Sequence, residues 1–221
     1  QQSGTPASPT FQRGSFRQRL RGNIRNGPPG PLNSIYVDTG LLDAADQSLL
    51  TAEYASNVGP WQMQAEWAGS FIPKARTILN PATNAGQQPL NTEITNYFTQ
   101  GAYCEVMYAL TGESRAYNRS QAVLDRYVPR NNFFRVGGPR GILMSASAWQ
   151  IGARYDWVTL NSQGVDGGIL HGLTLGLNWI MTPNARMYFN YDYTYRDFTN
   201  SRNKNGSGGI NGFGARMAFD F

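Results

Sequence analysis

Arginine dominates the chemistry this chain can offer. Of its 19 basic residues only Lys74 and Lys204 are lysines, and with 14 acidic residues the net charge is +5. A guanidinium presents a planar fork of donors that matches phosphate or carboxylate and stays charged at any physiological pH. Arg17, Arg19 and Arg21 recur at every second position of Phe16-Arg17-Gln18-Arg19-Leu20-Arg21. In a strand that spacing stacks them on one face at intervals of about 6.5 to 7 Å, a ladder that could hand an anion along with weak binding at each rung. A basic rim facing water is the competing reading, because Phe16 and Leu20 leave the opposite face only partly apolar. A second concentration follows Leu110, where Arg115, Arg119, Arg126, Arg130, Arg135 and Arg140 stand against only Glu113 and Asp125.

Other chemistries find little support. Cys104 is the only cysteine, which excludes an internal disulfide and any Cys-rich metal site. His171 is the only histidine. No Ser/His/Asp set, paired catalytic carboxylates or glycine-rich phosphate loop is credible, and Gly206 to Gly209 reads as a loop tip. The expectation is a protein without an enzymatic step, cofactor, metal or nucleic-acid partner.

Strands are the elements that would position these arginines. Phe213, Ala215, Met217, Phe219 and Phe221 alternate with Gly212, Gly214, Arg216, Ala218 and Asp220, the period of a strand with one apolar face. Met187 to Tyr195, Leu173 to Trp179 and Trp149 to Trp157 follow the same rule. Residues 97–110, 60–69 and 48–57 follow it less tightly, and a strand near 15–25 is the weakest. That makes about eight antiparallel strands in an all-β chain. Thr182-Pro183-Asn184 and Val58-Gly59-Pro60 are short turns, whereas 161–169 and 197–209 read as longer loops.

Apolar-out, polar-in strands with short turns at one end and long loops at the other describe an antiparallel transmembrane β-barrel, and no apolar run approaches the roughly 18 residues of a membrane helix. Tryptophans 61, 67, 149, 157 and 179 fall towards strand ends, where interfacial girdles form. A soluble barrel or sandwich, apolar face inward, has the same periodicity. Counting parity back from Phe221 puts Arg154, Arg186, Arg196 and Arg216 on the lumen side with Glu53, Glu66, Glu105, Asp156, Asp192 and Asp220. Four positive charges against six negative ones suggest that most of these arginines pair with carboxylates. The connection 112–146 lies at the periplasmic end by strand counting and is far too long for an ordinary turn.

Several motifs resemble one family. Gly101-Ala102-Tyr103-Cys104-Glu105 leads into Tyr108-Ala109-Leu110-Thr111-Gly112-Glu113-Ser114-Arg115, and Ala148 to Tyr155, Leu173 to Trp179, Pro183 to Met187 and Gly212 to Arg216 follow in order. Val37-Asp38-Thr39-Gly40 and Val58-Gly59-Pro60-Trp61 extend the likeness towards the N-terminus. Together they resemble the phosphate-selective porin O and P family over residues 15–221, with 1–14 a polar lead-in. The resemblance implies a homotrimeric, 16-stranded porin of the bacterial outer membrane that conducts small anions such as phosphate. It implies an arginine-rich strand at the pore, matching Arg17, Arg19 and Arg21, and a long periplasmic turn folded towards the lumen, matching the segment with Arg126, Arg130 and Arg135.

This chain resembles the C-terminal half alone. Eight strands would close into a barrel filled by its own side chains, with no aqueous channel, and an open half-barrel would expose edges to lipid. The expectation is therefore a fragment, or a wall completed by another polypeptide. A general or cation-leaning porin, or a barrel that only anchors the envelope, are the alternatives.

Overall fold

The computed structural model describes residues 12–14, 17–19, 35–39, 41–78, 96–121, 123–138, 141–162, 165–197 and 207–220. The alternating segments form one antiparallel sheet of seven strands: β1 (Ser48–Val58), β2 (Trp61–Pro73), β3 (Asn96–Ala109), β4 (Ala148–Ser162), β5 (Val165–Thr182), β6 (Ala185–Asp197) and β7 (Gly208–Phe219). Each strand pairs with its neighbours in chain order, so the sheet is an uninterrupted meander. With 11 to 18 residues apiece, the strands reach or exceed the roughly 9 to 11 that cross a bilayer.

Register turns the sequence alternation into two faces. Met63, Val106, Ala153, Leu175, Tyr191 and Phe213 lie in one cross-strand row. One step along the strands the row is Gln64, Glu105, Arg154, Thr174, Asp192 and Gly212. Opposed residues share a face, so the apolar row and the polar row point to opposite sides. The apolar face is bare: Phe213 is 86% exposed, Met217 50% and Leu175 46%. So much contiguous hydrocarbon needs an apolar neighbour, and a bilayer supplies one.

Aromatic rows bound that face. At the end with the short turns, Trp149 stacks on Trp179 at 5.2 Å and Phe133 meets Trp179 edge-on at 4.7 Å. Both indole nitrogens donate to the Ala146 carbonyl, at 3.1 and 2.9 Å, so each ring keeps an apolar body and a satisfied polar tip. At the other end Trp67, Ala102, Trp157, His171 and Tyr195 form a row. Trp149 and Trp157 are eight residues apart, about 27 Å along an extended strand, enough to flank an apolar band about 25 Å tall.

Two expectations change. Among the described residues the wall has seven strands, and Arg17–Arg19, from the segment expected near 15–25, is not one of them. Arg17–Arg19 pairs instead with Ile35–Asp38 in a two-stranded ribbon, and Leu41–Ala44 runs between Gln12–Gly14 and Arg76–Ile78. The reason lies in the inner face near the ends of β2 to β5, where Val158, Leu160, Leu170, Ile72 and Tyr97 replace polar residues. Val37 is buried against Leu160 and Leu170, and Leu42 against Ile72, Tyr97 and Val165. The N-terminal segments cover that apolar patch from within.

The second change concerns 161–169, whose described residues, 161–162 and 165–169, are strand and not loop. β4 runs to Ser162 and β5 starts at Val165, with a register irregularity between Thr159 and Asn161. Gly168 has φ of 93°, open to glycine, and its amide donates to Asn161 Oδ1 at 2.7 Å. A Cβ at Gly167 would meet the Leu160 carbonyl at 2.7 Å. The Gly and Asn content that resembles a loop here serves a bulge and a close backbone approach.

β1 and β7 are the edges of the sheet, which is open among the described residues. Phe221, from which parity was counted, lies outside them.

Candidate pore-lining face

Arg154 organises the middle of the polar face. It is opposite Glu105 in the β3–β4 register and two residues from Asp156 on its own strand, so both carboxylates fall on its side. Its guanidinium lies 2.8 Å from Asp156, 3.8 Å from Glu105 and 3.7 Å from the centre of the Tyr103 ring. Two carboxylates and an aromatic face fix one arginine in a planar site. Asp192 accepts from the Thr174 hydroxyl at 2.6 Å across β5 and β6. Arg186 pairs with Asp220 at 2.9 Å, and Arg216 lies 4.8 Å from the Tyr188 ring. The expected pairing of inward arginines with carboxylates holds for Arg154 and Arg186.

Hollows follow this face from end to end. One of about 460 Å³ lies against Glu66, Tyr103, Arg154, Asp156 and Thr194. The next, about 360 Å³, adjoins Glu105, Thr174, Asn178, Tyr188 and Asn190. The last, about 170 Å³, reaches Gln62, Gln150, Arg186 and the connection between β3 and β4.

That connection folds back over the polar face. The Tyr127 ring is buried against Ala109, Ala148 and Ile180, and Asn57 of β1 donates its side-chain amide to the Arg115 carbonyl. Arg115 Nη2 donates to the Leu124 carbonyl at 3.2 Å and Nε to that of Asp125, drawing the loop into a short hairpin of Tyr117–Asn118 with Val123–Leu124. Burial, with Arg186 nearby, holds the Arg115 guanidinium below its usual pKa, while Asp125 and Glu105 oppose that shift. Burial and the neighbouring Glu113 carboxylate push the Tyr127 phenol up, so it remains a neutral donor.

An apolar outer face, a polar inner face with hollows and an inward-folded loop form the geometry of a pore wall. The family model for phosphate-selective porin O and P matches residues 6–221. The chain belongs to that family. It is also 34% identical over 192 residues to an uncharacterised protein of Caulobacter vibrioides, covering 86% of this chain and 33% of that protein. The chain thus spans about a third of the length of the relative it matches.

Porins of this family belong to the bacterial outer membrane, and the candidate residues of this one divide by position. Arg154, Arg186, Arg196 and Arg216 share the polar face by register, as parity implied. Arg126 and Arg130 are exposed at the end with the short turns: Arg126 Nη1 donates to Asn184 Oδ1 at 2.9 Å and Arg130 Nη2 to the Gly112 carbonyl at 2.8 Å. Both tie the connection to its surroundings. Arg135 sits in the strand Phe134–Gly138, paired with Gly141–Ser145.

Arg17 is the register partner of Asp38, and the register irregularity beside Arg19 places the extra residue, Tyr36, on the opposite strand. Arg21 lies outside the described residues. The structure places Arg17 and Arg19 in a ribbon apart from the strands that carry Arg154, Arg186, Arg196 and Arg216. It brings Arg115 towards Arg186, a pair separated by 71 positions that sequence reasoning did not single out. The one available signal was proximity in sequence, since Arg115 follows the last residue of β3 by six positions.

Proposed function

We infer that this chain is a segment of the wall of an outer-membrane porin, through which small anions, phosphate or polyphosphate among them, diffuse without a chemical step. The observation that carries the reading is the division of one seven-stranded sheet into a bare apolar face bounded by aromatic rows and a polar face followed by hollows. Membership of a phosphate-selective porin family supports the anion. So does the position of the basic segments: the ribbon containing Arg17–Arg19 and the connection containing Arg115 both lie over the polar face, above a wall whose own arginines are largely engaged. The remaining wall comes from further strands, and the complete pore is a homotrimer in the outer membrane.

A cation-leaning pore is the second reading. The observation in its favour is the polar face itself, with Glu53, Glu66, Glu105, Asp156, Asp192 and Asp220 against Arg154, Arg186, Arg196 and Arg216. Reversal potentials of the full-length porin across a KCl gradient in planar bilayers separate the two. The expected sign is that of chloride preference. A potassium preference overturns the anion reading, and absence of any conductance favours a barrel that only anchors the envelope.

A further inference from the structure

The middle hollow, of about 360 Å³, falls within the roughly 300 to 1,000 Å³ of small-molecule sites. Register explains its shape. Met107, Gly152, Gly176 and Asn190 follow one another across β3 to β6. On one side of them stand Glu105, Arg154 and Thr174, and on the other Asn178 and Tyr188. Thr174 and Asn178 are four residues apart on β5, about 13 Å along an extended strand. The floor between these flanks is backbone at Gly152 and Gly176. Glycine inside a strand weakens it and marks a place where another group approaches the main chain. At Gly152 that group is Met107, whose sulfur a Cβ there would overlap. At Gly176 an added Cβ would touch only Asn190 Oδ1, at 3.4 Å, so this part of the floor is open to a guest.

The lining narrows the guest further. Arg154 lies 2.8 Å from Asp156 and 3.8 Å from Glu105, so the guanidinium and the carboxylate among the described lining residues offset each other. The hollow therefore favours neither sign of charge. Its unengaged groups are amides. Asn178 and Asn190 make no hydrogen bond among the described residues, and each carboxamide sets donors beside an acceptor. Such a group fits two neighbouring hydroxyls, accepting from one and donating to the other. The Met107 thioether and the Tyr188 ring contribute apolar surface beside them. A cyclic polyol carries hydroxyls around its rim and C–H groups on its faces, and this lining offers a partner to both.

We propose that this hollow is a binding subsite for neutral saccharides, in which one pyranose ring lies over Gly176 against Met107 and Tyr188 and sets its hydroxyls on Asn178 and Asn190. The inference goes beyond the anion reading and needs only the pore wall. An uncharged solute held by a few hydrogen bonds pauses there and leaves again, as passage through a pore requires.

Saturation-transfer difference NMR of D-glucose with the full-length porin in a sugar-free detergent reads binding directly, whether or not the pore conducts. The ring protons of glucose are expected to receive saturation along a saturable titration curve, and those of triethylene glycol, an uncharged solute without vicinal hydroxyls, are not. Asn178→Ala and Asn190→Ala are each expected to raise the dissociation constant by about two- to tenfold, the effect of losing one hydrogen bond. Gly176→Val suits a strand and fills the floor, so it is expected to abolish saturable binding. Ser48→Ala, on the outer face opposite Phe71, is expected to leave binding unchanged. Heat-modifiable migration on gels confirms that each variant is folded.

A wild-type porin that transfers no saturation to glucose overturns the subsite, as does equal transfer to glucose and triethylene glycol. Binding that Asn178→Ala, Asn190→Ala and Gly176→Val all leave unchanged overturns it too, since the sugar then sits elsewhere. None of these outcomes depends on which ion the pore prefers, so the reversal potential decides the anion reading separately.

Discussion

Arg154 shows how little of the charge on the polar face is available to a passing ion. Its guanidinium is shared among Asp156, Glu105 and the Tyr103 ring, so one positive charge restrains two negative ones. Replacing it with Met would free both carboxylates in a partly buried row. The reversal potential is expected to move towards cations, and urea unfolding to report a loss of about 1 to 2 kcal/mol from the broken charge-assisted bonds. Arg154→Lys retains the charge but not the planar stack, so selectivity should stay while stability falls. A reversal potential that Met leaves unmoved would show that the ion path avoids this row. Residue types made Arg154 legible from sequence, since parity put Glu105 and Asp156 on its side. Arg115 was not legible, because its neighbourhood depends on where a long connection lands and no spacing encodes that.

Strands carry the division between lipid and water, and adjacent residues of β5 can test it. Leu175 lies midway between the aromatic rows and is exposed on the apolar face, whereas Thr174 faces Asp192 on the polar side. Leu175→Arg should cost about 2 to 4 kcal/mol in refolding into vesicles, the penalty for a charge at the bilayer midplane, and Thr174→Arg much less. Equal costs would mean that both faces meet the same solvent, as in a soluble sheet. The four C-terminal strands were plain in the sequence because period two persists in each. The extension of β4 to Ser162 and the start of β5 at Val165 were hidden, since Asn161, Gly167 and Gly168 have turn chemistry but serve a bulge. The N-terminal ribbon was misplaced for a different reason. A strand that covers a wall and a strand that builds one share the same local pattern, and only the apolar patch of Val158, Leu160 and Leu170 tells them apart.

At the scale of the molecule, the edges of β1 and β7, open among the described residues, set the requirement. Every unpaired N–H and C=O of an edge strand in hydrocarbon costs several kcal/mol, so a seven-stranded sheet with two edges cannot rest in a bilayer as it stands. Closure on itself would not give a pore either, because about eight strands enclose only enough space for side chains. The hollows along the polar face need a wider circuit, of the order of 16 strands, before they join into a water path. The 221 residues alone, refolded in detergent and reconstituted, are therefore expected to give no discrete single-channel steps and to associate through their edges into mixed oligomers. Adding the rest of the porin, as one chain or as a separate polypeptide, is expected to restore steady conductance and a single heat-modifiable species. Discrete steps from the 221 residues alone would mean that copies of this sheet close the wall for one another, with β7 of one meeting β1 of the next. In that event cysteines placed at Ala52 and Ala215 would crosslink between chains, whereas completion by other strands leaves them uncrosslinked.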